Sequence, residues 1–84
     1  MDTSNQIREI VIPHSGLAKE VEIIEWLAKH GDNVIAGTPL VVYESEKAQV
    51  EMEAPCDGSL EIIIQASSAE ISAGTVIGRI VSAE

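Results

Sequence analysis

The sequence predicts an all-β fold, a flattened β-barrel or sandwich of two four-stranded antiparallel sheets with pseudo-twofold symmetry. Three observations predict it. Turn-forming residues punctuate the chain at Pro13, Gly16, Gly31, Gly37, Pro39, Pro55, Gly58, Gly74 and Gly78. The runs between them are short and rich in Ile and Val, whose branched side chains favour strands. The two halves also share a pattern: Pro13-x-x-Gly16 recurs as Pro55-x-x-Gly58, and Val34-x-x-Gly37-Thr38-x-Leu40 recurs as Ile71-x-x-Gly74-Thr75-x-Ile77.

Eight strands follow in order. The first, 7–12, stops at Pro13. The second, 19–28, ends before Gly31-Asp32-Asn33; a helix over 17–30 is the rival reading, but Val21, Ile24, Trp26 and Leu27 do not keep a helical spacing. Strands at 33–36 and 39–44 flank Gly37. A fifth, 48–54, runs to Pro55, a sixth covers 59–65, a seventh 69–72, and the last 76–82. The repeated motifs are set further apart in the first half, which places extra residues in a loop near 16–20. Two similar units of this size are expected to complete one another's core. Aligning them sets Lys47 against Glu84, so the chain ends are expected at the pole opposite Lys47. Residues 1–6 read as a tail, 7–82 as the domain, and 83–84 as its end and the start of a linker.

Eighty-four residues with a formal net charge of −9 make one small domain without room for a deep cleft. The charge argues against nucleic acid, whose phosphates call for a basic surface, and against anionic membrane surfaces. It favours steering toward basic partners. No apolar run approaches membrane-spanning length, and the first residues lack the pattern of a signal or transit peptide. A single cysteine, Cys56, excludes an intramolecular disulfide and, with no partner thiol or base in view, reads as incidental. His14 and His30 lack ligand spacing and read as surface turn residues. Trp26 reads as packed against the sandwich, and Gly31, Gly37, Gly58 and Gly74 as turn residues with positive φ. No Ser-His-Asp or Cys-His arrangement is evident.

The most informative stretch is Glu44-Ser45-Glu46-Lys47-Ala48-Gln49-Val50-Glu51-Met52-Glu53-Ala54-Pro55. It reads as a hairpin with Glu46 and Lys47 at the centre of its turn. On the returning strand Val50, Met52 and Ala54 are expected to face the core, and Gln49, Glu51 and Glu53 solvent. Leu40-Val41-Val42-Tyr43 is apolar on both faces, so alternation assigns it no face. The turn holds neither Gly nor Asn, which two-residue hairpins prefer; a type I turn, held by flanking pairing, is expected. One amine among four glutamates on such a scaffold reads as a handle for a covalent group.

In these residues the chain resembles the lipoyl-attachment domain of 2-oxo acid dehydrogenase complexes, a barrel-sandwich hybrid. The resemblance covers roughly 7–82 and rests on Ile12-Pro13-x-x-Gly16, Glu25-Trp26-Leu27, Gly31-Asp32-x-Val34, Gly37-x-x-Leu40 and above all Glu44-Ser45-Glu46-Lys47-Ala48. Glu46 stands where the family commonly has Asp, and Ser68-Ala69 where its second half has a Gly-Asp turn. The biotinyl domain shares the fold, but its lysine lies in Ala-Met-Lys-Met. The resemblance implies lipoic acid in amide linkage to Lys47, with Glu44, Glu46 and Ala48 as flanking recognition residues. It implies a carrier rather than an enzyme, one module of a dihydrolipoamide acyltransferase. It also implies partners: a thiamine-diphosphate-dependent decarboxylase that reductively acylates the arm, an acyltransferase core that passes the acyl group to coenzyme A, a dihydrolipoyl dehydrogenase that reoxidises the dithiol, and a lipoate ligase or lipoyl transferase. The compartment would be bacterial cytoplasm or mitochondrial matrix. The alternatives are a biotinyl carrier and an unmodified β-sandwich interaction module.

Overall fold

A computed structural model describes residues 6–14, 20–46 and 48–82 of the chain. The expected loop near 16–20 falls almost wholly outside these residues, as do most of the tail and the end at 83–84. Eight strands are present: β1 (Gln6–Val11), β2 (Glu20–Trp26), β3 (Asn33–Val34), β4 (Pro39–Glu44), β5 (Gln49–Glu53), β6 (Gly58–Ile62), β7 (Ile71–Ser72) and β8 (Val76–Ser82). Among the described residues there is no helix, so the rival reading of 17–30 fails over 20–26, where β2 runs.

The strands form two four-stranded antiparallel sheets, ordered β1-β8-β6-β3 and β5-β4-β2-β7. They face each other as a flattened sandwich and do not close into a barrel. Advancing each strand of the first sheet by half the chain (β1 to β5, β8 to β4, β6 to β2, β3 to β7) reproduces the second sheet's order. Each sheet therefore takes two strands from each half, and neither half has a sheet of its own. That is the pseudo-twofold the repeated motifs predict.

The core between the sheets is aliphatic apart from Tyr43. Ile12, Leu40, Val41, Leu60, Ile77 and Ile80 are fully enclosed. Leu40 and Val41 are adjacent yet both buried, which regular alternation forbids. The pairing explains it: Pro39 lies opposite Glu53 but Val41 lies opposite Met52, a bulge at Leu40. This is why alternation assigned β4 no face. On β5 Met52 is half-buried and, just past its end, Ala54 is buried, as expected, while Val50 stands 38% exposed. Its parity is inward, but it lies at the hairpin end, where the facing sheet no longer covers it.

Trp26 packs across the core edge, with its indole N–H donating to the Ile64 carbonyl at 2.9 Å. Gly78 is no turn residue; it lies inside β8. A Cβ there would meet the Glu61 carbonyl oxygen at 2.9 Å and the Trp26 ring at 3.0 Å, so glycine makes room for the tryptophan. Gly31, Gly37, Gly58 and Gly74 all have positive φ.

Burial also raises the pKa of the Tyr43 hydroxyl above its ordinary value of 10.0. The folded state then resists ionisation more than the unfolded chain does. Its contribution is intact below the unfolded pKa and is lost as pH climbs from about 10 through the folded value. Tyr43→Phe is expected to flatten the alkaline limb of stability against pH, measured by urea denaturation between neutrality and strong alkali. An unchanged limb would contradict it.

Candidate functional site

The β4–β5 hairpin is built from the registers Pro39–Glu53, Val41–Met52, Val42–Glu51, Tyr43–Val50 and Glu44–Gln49. Beyond the last pair, the Ser45 N–H donates to the Ala48 carbonyl at 2.8 Å, which leaves Glu46 and Lys47 to make the connection. Lys47 itself lies outside the described residues. Its neighbours Glu46 and Ala48 are both exposed. A long group attached between them needs open solvent rather than a pocket, and exposed flanks fit that need.

At the base of the hairpin the Ala54 N–H donates to the Thr38 carbonyl at 2.8 Å, and the Ala36 N–H to the Asp57 carboxylate at 2.8 Å. From there the chain enters β6, where Ser59 pairs with Val81, next to Ser82 and its partner Gln6. Gln6 and Ser82 thus lie near the hairpin's base. Glu44 and Gln49 lie a β4 length away, about 17 Å at 3.4 Å per residue. The chain ends and Lys47, whose opposition was expected, lie outside the described residues; of their neighbours, Gln6 and Ser82 lie at the end of the sandwich away from Glu44 and Gln49.

Electrostatics differ between the sheets. On β1-β8-β6 the row Glu9–Arg79–Glu61 alternates in sign, with the Arg79 Nε donating to Glu61 at 2.5 Å. The hairpin's sheet has no described Lys or Arg on any of its strands. Its outward rows read Glu22–Glu44–Gln49 and Glu25–Val42–Glu51. Glu20, at the outer end of β2, lies close to Glu70; their mutual hydrogen bond, then the repulsion between the two carboxylates, raises the pKa of Glu70.

Glu44, Glu46 and Ala48 are therefore brought together around the turn. Glu51 lies further along the same face, and Glu53 is at the far end, opposite Pro39. Glu22 was not singled out from sequence, because its place opposite Glu44 follows only from pairing of β2 with β4. Like charges directly opposite in an antiparallel pair destabilise it, so this pair costs stability. His30 does more than occupy a turn: its Nδ1 accepts from the Ile62 N–H at 3.0 Å. Cys56 is half-buried against the core. Among the described residues no cluster of three metal-ligating side chains forms, and no helix is long and apolar enough to cross a membrane.

Comparison with known proteins bears on this geometry. Residues 8–80 match the biotin/lipoyl family model described as "Biotin-requiring enzyme". The chain is 37% identical over 70 residues to the dihydrolipoyllysine-residue acetyltransferase component of the pyruvate dehydrogenase complex of Azotobacter vinelandii, covering 83% of this chain and 11% of that protein. It is 36% identical over 73 residues to the dihydrolipoyllysine-residue succinyltransferase component of the 2-oxoglutarate dehydrogenase complex of Rickettsia bellii, covering 86% and 18%. It is 43% identical over 72 residues to a mitochondrial acetyltransferase component, number 3, of the pyruvate dehydrogenase complex of Arabidopsis thaliana, covering 83% and 13%. The chain thus spans less than a fifth of the length of these relatives.

Proposed function

We propose a lipoyl carrier role for this chain, which belongs to the biotin- and lipoyl-attachment domain family. It is a carrier domain and not a catalytic body. Lys47 is the attachment residue, and lipoic acid in amide linkage to its Nζ is the cofactor. Once attached, the group supplies a dithiolane that accepts an acyl unit and two electrons. The observation that carries this reading is the hairpin closed by the Ser45–Ala48 hydrogen bond, with Glu46 and Ala48 exposed at the end away from Gln6 and Ser82. Material tethered through those ends leaves the hairpin facing outward. Tethering raises the arm's effective concentration at each active site it visits.

Lipoate is favoured over biotin by Glu46 and Ala48, which stand where the biotinyl pattern has methionines. The named relatives are acyltransferase components of 2-oxo acid dehydrogenase complexes. The partners proposed here are accordingly a thiamine-diphosphate-dependent decarboxylase, an acyltransferase core, a dihydrolipoyl dehydrogenase and a lipoate ligase or lipoyl transferase, in bacterial cytoplasm or mitochondrial matrix. Co-expression with a lipoate ligase or with a biotin ligase, followed by intact mass, tests the choice. A lipoyl increment with the first alone is expected; a biotinyl increment overturns it.

The acidic outer face supports a recognition role for its glutamates. Replacing Glu22, Glu44 and Glu51 together by glutamine is expected to leave lipoylation intact. It should slow reductive acylation by the decarboxylase about tenfold at low salt, at the modest end of electrostatic steering. It should also raise stability by about 0.5 kcal/mol by relieving the Glu22–Glu44 opposition. Stopped-flow acylation across a salt series and urea denaturation check the two signs; an unchanged acylation rate would contradict the role.

A further inference from the structure

Ser45 holds the hairpin end with two donors on one acceptor. Its backbone N–H and its side-chain Oγ both donate to the Ala48 carbonyl, at 2.8 and 3.3 Å. The residue is half-buried, whereas Glu44, Glu46 and Ala48 are exposed. The connection between Ser45 and Ala48 is Glu46-Lys47, with no Gly, Asn or Asp to favour a tight hairpin on its own. Its geometry must be imposed from the flanks. The backbone bond is available to any residue but proline at position 45; the Oγ bond requires a hydroxyl. It bridges the residue two before the lysine to the residue one after it, and so fixes the peptide plane that follows Ala48, where the chain enters β5.

We propose that Ser45 is a positioning residue for modification of Lys47, its hydroxyl clamping the turn in the form the attaching enzyme recognises. This rests on the carrier reading given above. In the modifying reaction a ligase joins lipoate to ATP, forming lipoyl-adenylate and releasing pyrophosphate. The deprotonated Lys47 Nζ attacks the acyl carbon; the amide C–N bond forms, the bond to the AMP oxygen breaks, and the remaining amine proton leaves to solvent. Ser45 takes no part in these bonds. It raises the fraction of the chain that presents the turn in competent form, and a smaller competent fraction lowers apparent affinity in proportion.

The test is steady-state lipoylation of the chain by a lipoate ligase with lipoic acid and ATP, read by intact mass. The variants are Ser45→Ala and the equal-shaped pair Ser45→Thr and Ser45→Val. Ser45→Ala and Ser45→Val are expected to raise KM about fivefold with kcat little changed, the size expected for loss of one neutral hydrogen bond. Ser45→Thr should stay within about twofold of the parent, because the hydroxyl remains. Amide hydrogen exchange at Ser45 should quicken in the Ala and Val variants and not in Thr. Should Ser45→Ala fail to fold, the Thr–Val comparison carries the decision. Equal KM for Thr and Val overturns the proposal while the carrier reading stands. A parent chain that takes no lipoyl group overturns both.

Discussion

Replacing Lys47 by arginine is expected to abolish lipoylation completely while leaving the strand spectrum and the melting temperature unchanged. Arginine keeps the positive charge and nearly the length of lysine. It does not keep an amine that can shed a proton and attack an acyl carbon, since the guanidinium stays protonated at any accessible pH. The chain has two other lysines, Lys19 and Lys29, and neither lies on the β4–β5 hairpin. Lys29 sits in the turn after β2, where its backbone N–H donates to Asp32 at 2.9 Å. Intact mass after co-expression with lipoate ligase should show the bare chain for Lys47→Arg and a single increment for the parent. Shifting the lysine by one place, as in Glu46→Lys with Lys47→Glu or Lys47→Ala with Ala48→Lys, should fail almost as fully, because adjacent positions along a hairpin aim their side chains differently. Full modification of either shifted variant would show that the turn does not select the residue.

The second large effect concerns the fold that carries the hairpin. Gly58 has φ of +155°, and a Cβ on it would lie 2.6 Å from both the Ile80 Cγ2 and the Val81 carbonyl oxygen. One of these is backbone, held by pairing with β1 and β6, and the other belongs to a fully buried side chain. Neither withdraws easily. Gly58→Ala combines backbone strain with overpacking and is expected to cost about 3 kcal/mol or more. That is a large share of the 5–15 kcal/mol usual for a domain. Gly37 provides the control. Its φ is +91°, but nothing lies within 4 Å of the position a Cβ would take. Gly37→Ala meets the backbone term alone, about 1 kcal/mol. Guanidinium denaturation of the three proteins measures the difference, and equal losses would contradict the steric account.

Much of this architecture was legible in the sequence for local reasons. Branched apolar runs broken by Gly and Pro mark strands without reference to anything distant, and all eight overlap the expected ranges, although Gly78 breaks no strand. The repeat was legible because Pro13-x-x-Gly16 and Pro55-x-x-Gly58 keep their spacing; the interleaved sheet orders are its structural expression. The hairpin was legible because β5 alternates cleanly. What escaped depends on register between distant segments. The bulge at Leu40 exists only relative to Glu53 and Met52. The facing of Glu22 and Glu44 needs β2 laid against β4. The acceptance of the Ile62 N–H by His30 joins residues 32 apart. Gly78 resembled a turn residue because sequence cannot show Trp26 crossing above it. Val50 followed the right alternation but lies where cover runs out, and a periodicity carries no information about where a sandwich ends.

The central claim is that one amine, at the hairpin between Glu44 and Gln49, carries the cofactor. Peptide mass mapping of the protein isolated from its native cells tests it most directly. The account predicts one lipoyl increment, confined to the peptide containing Lys47 and absent from those containing Lys19 and Lys29. A native protein bare at Lys47, biotinylated there, or lipoylated at either other lysine would contradict it.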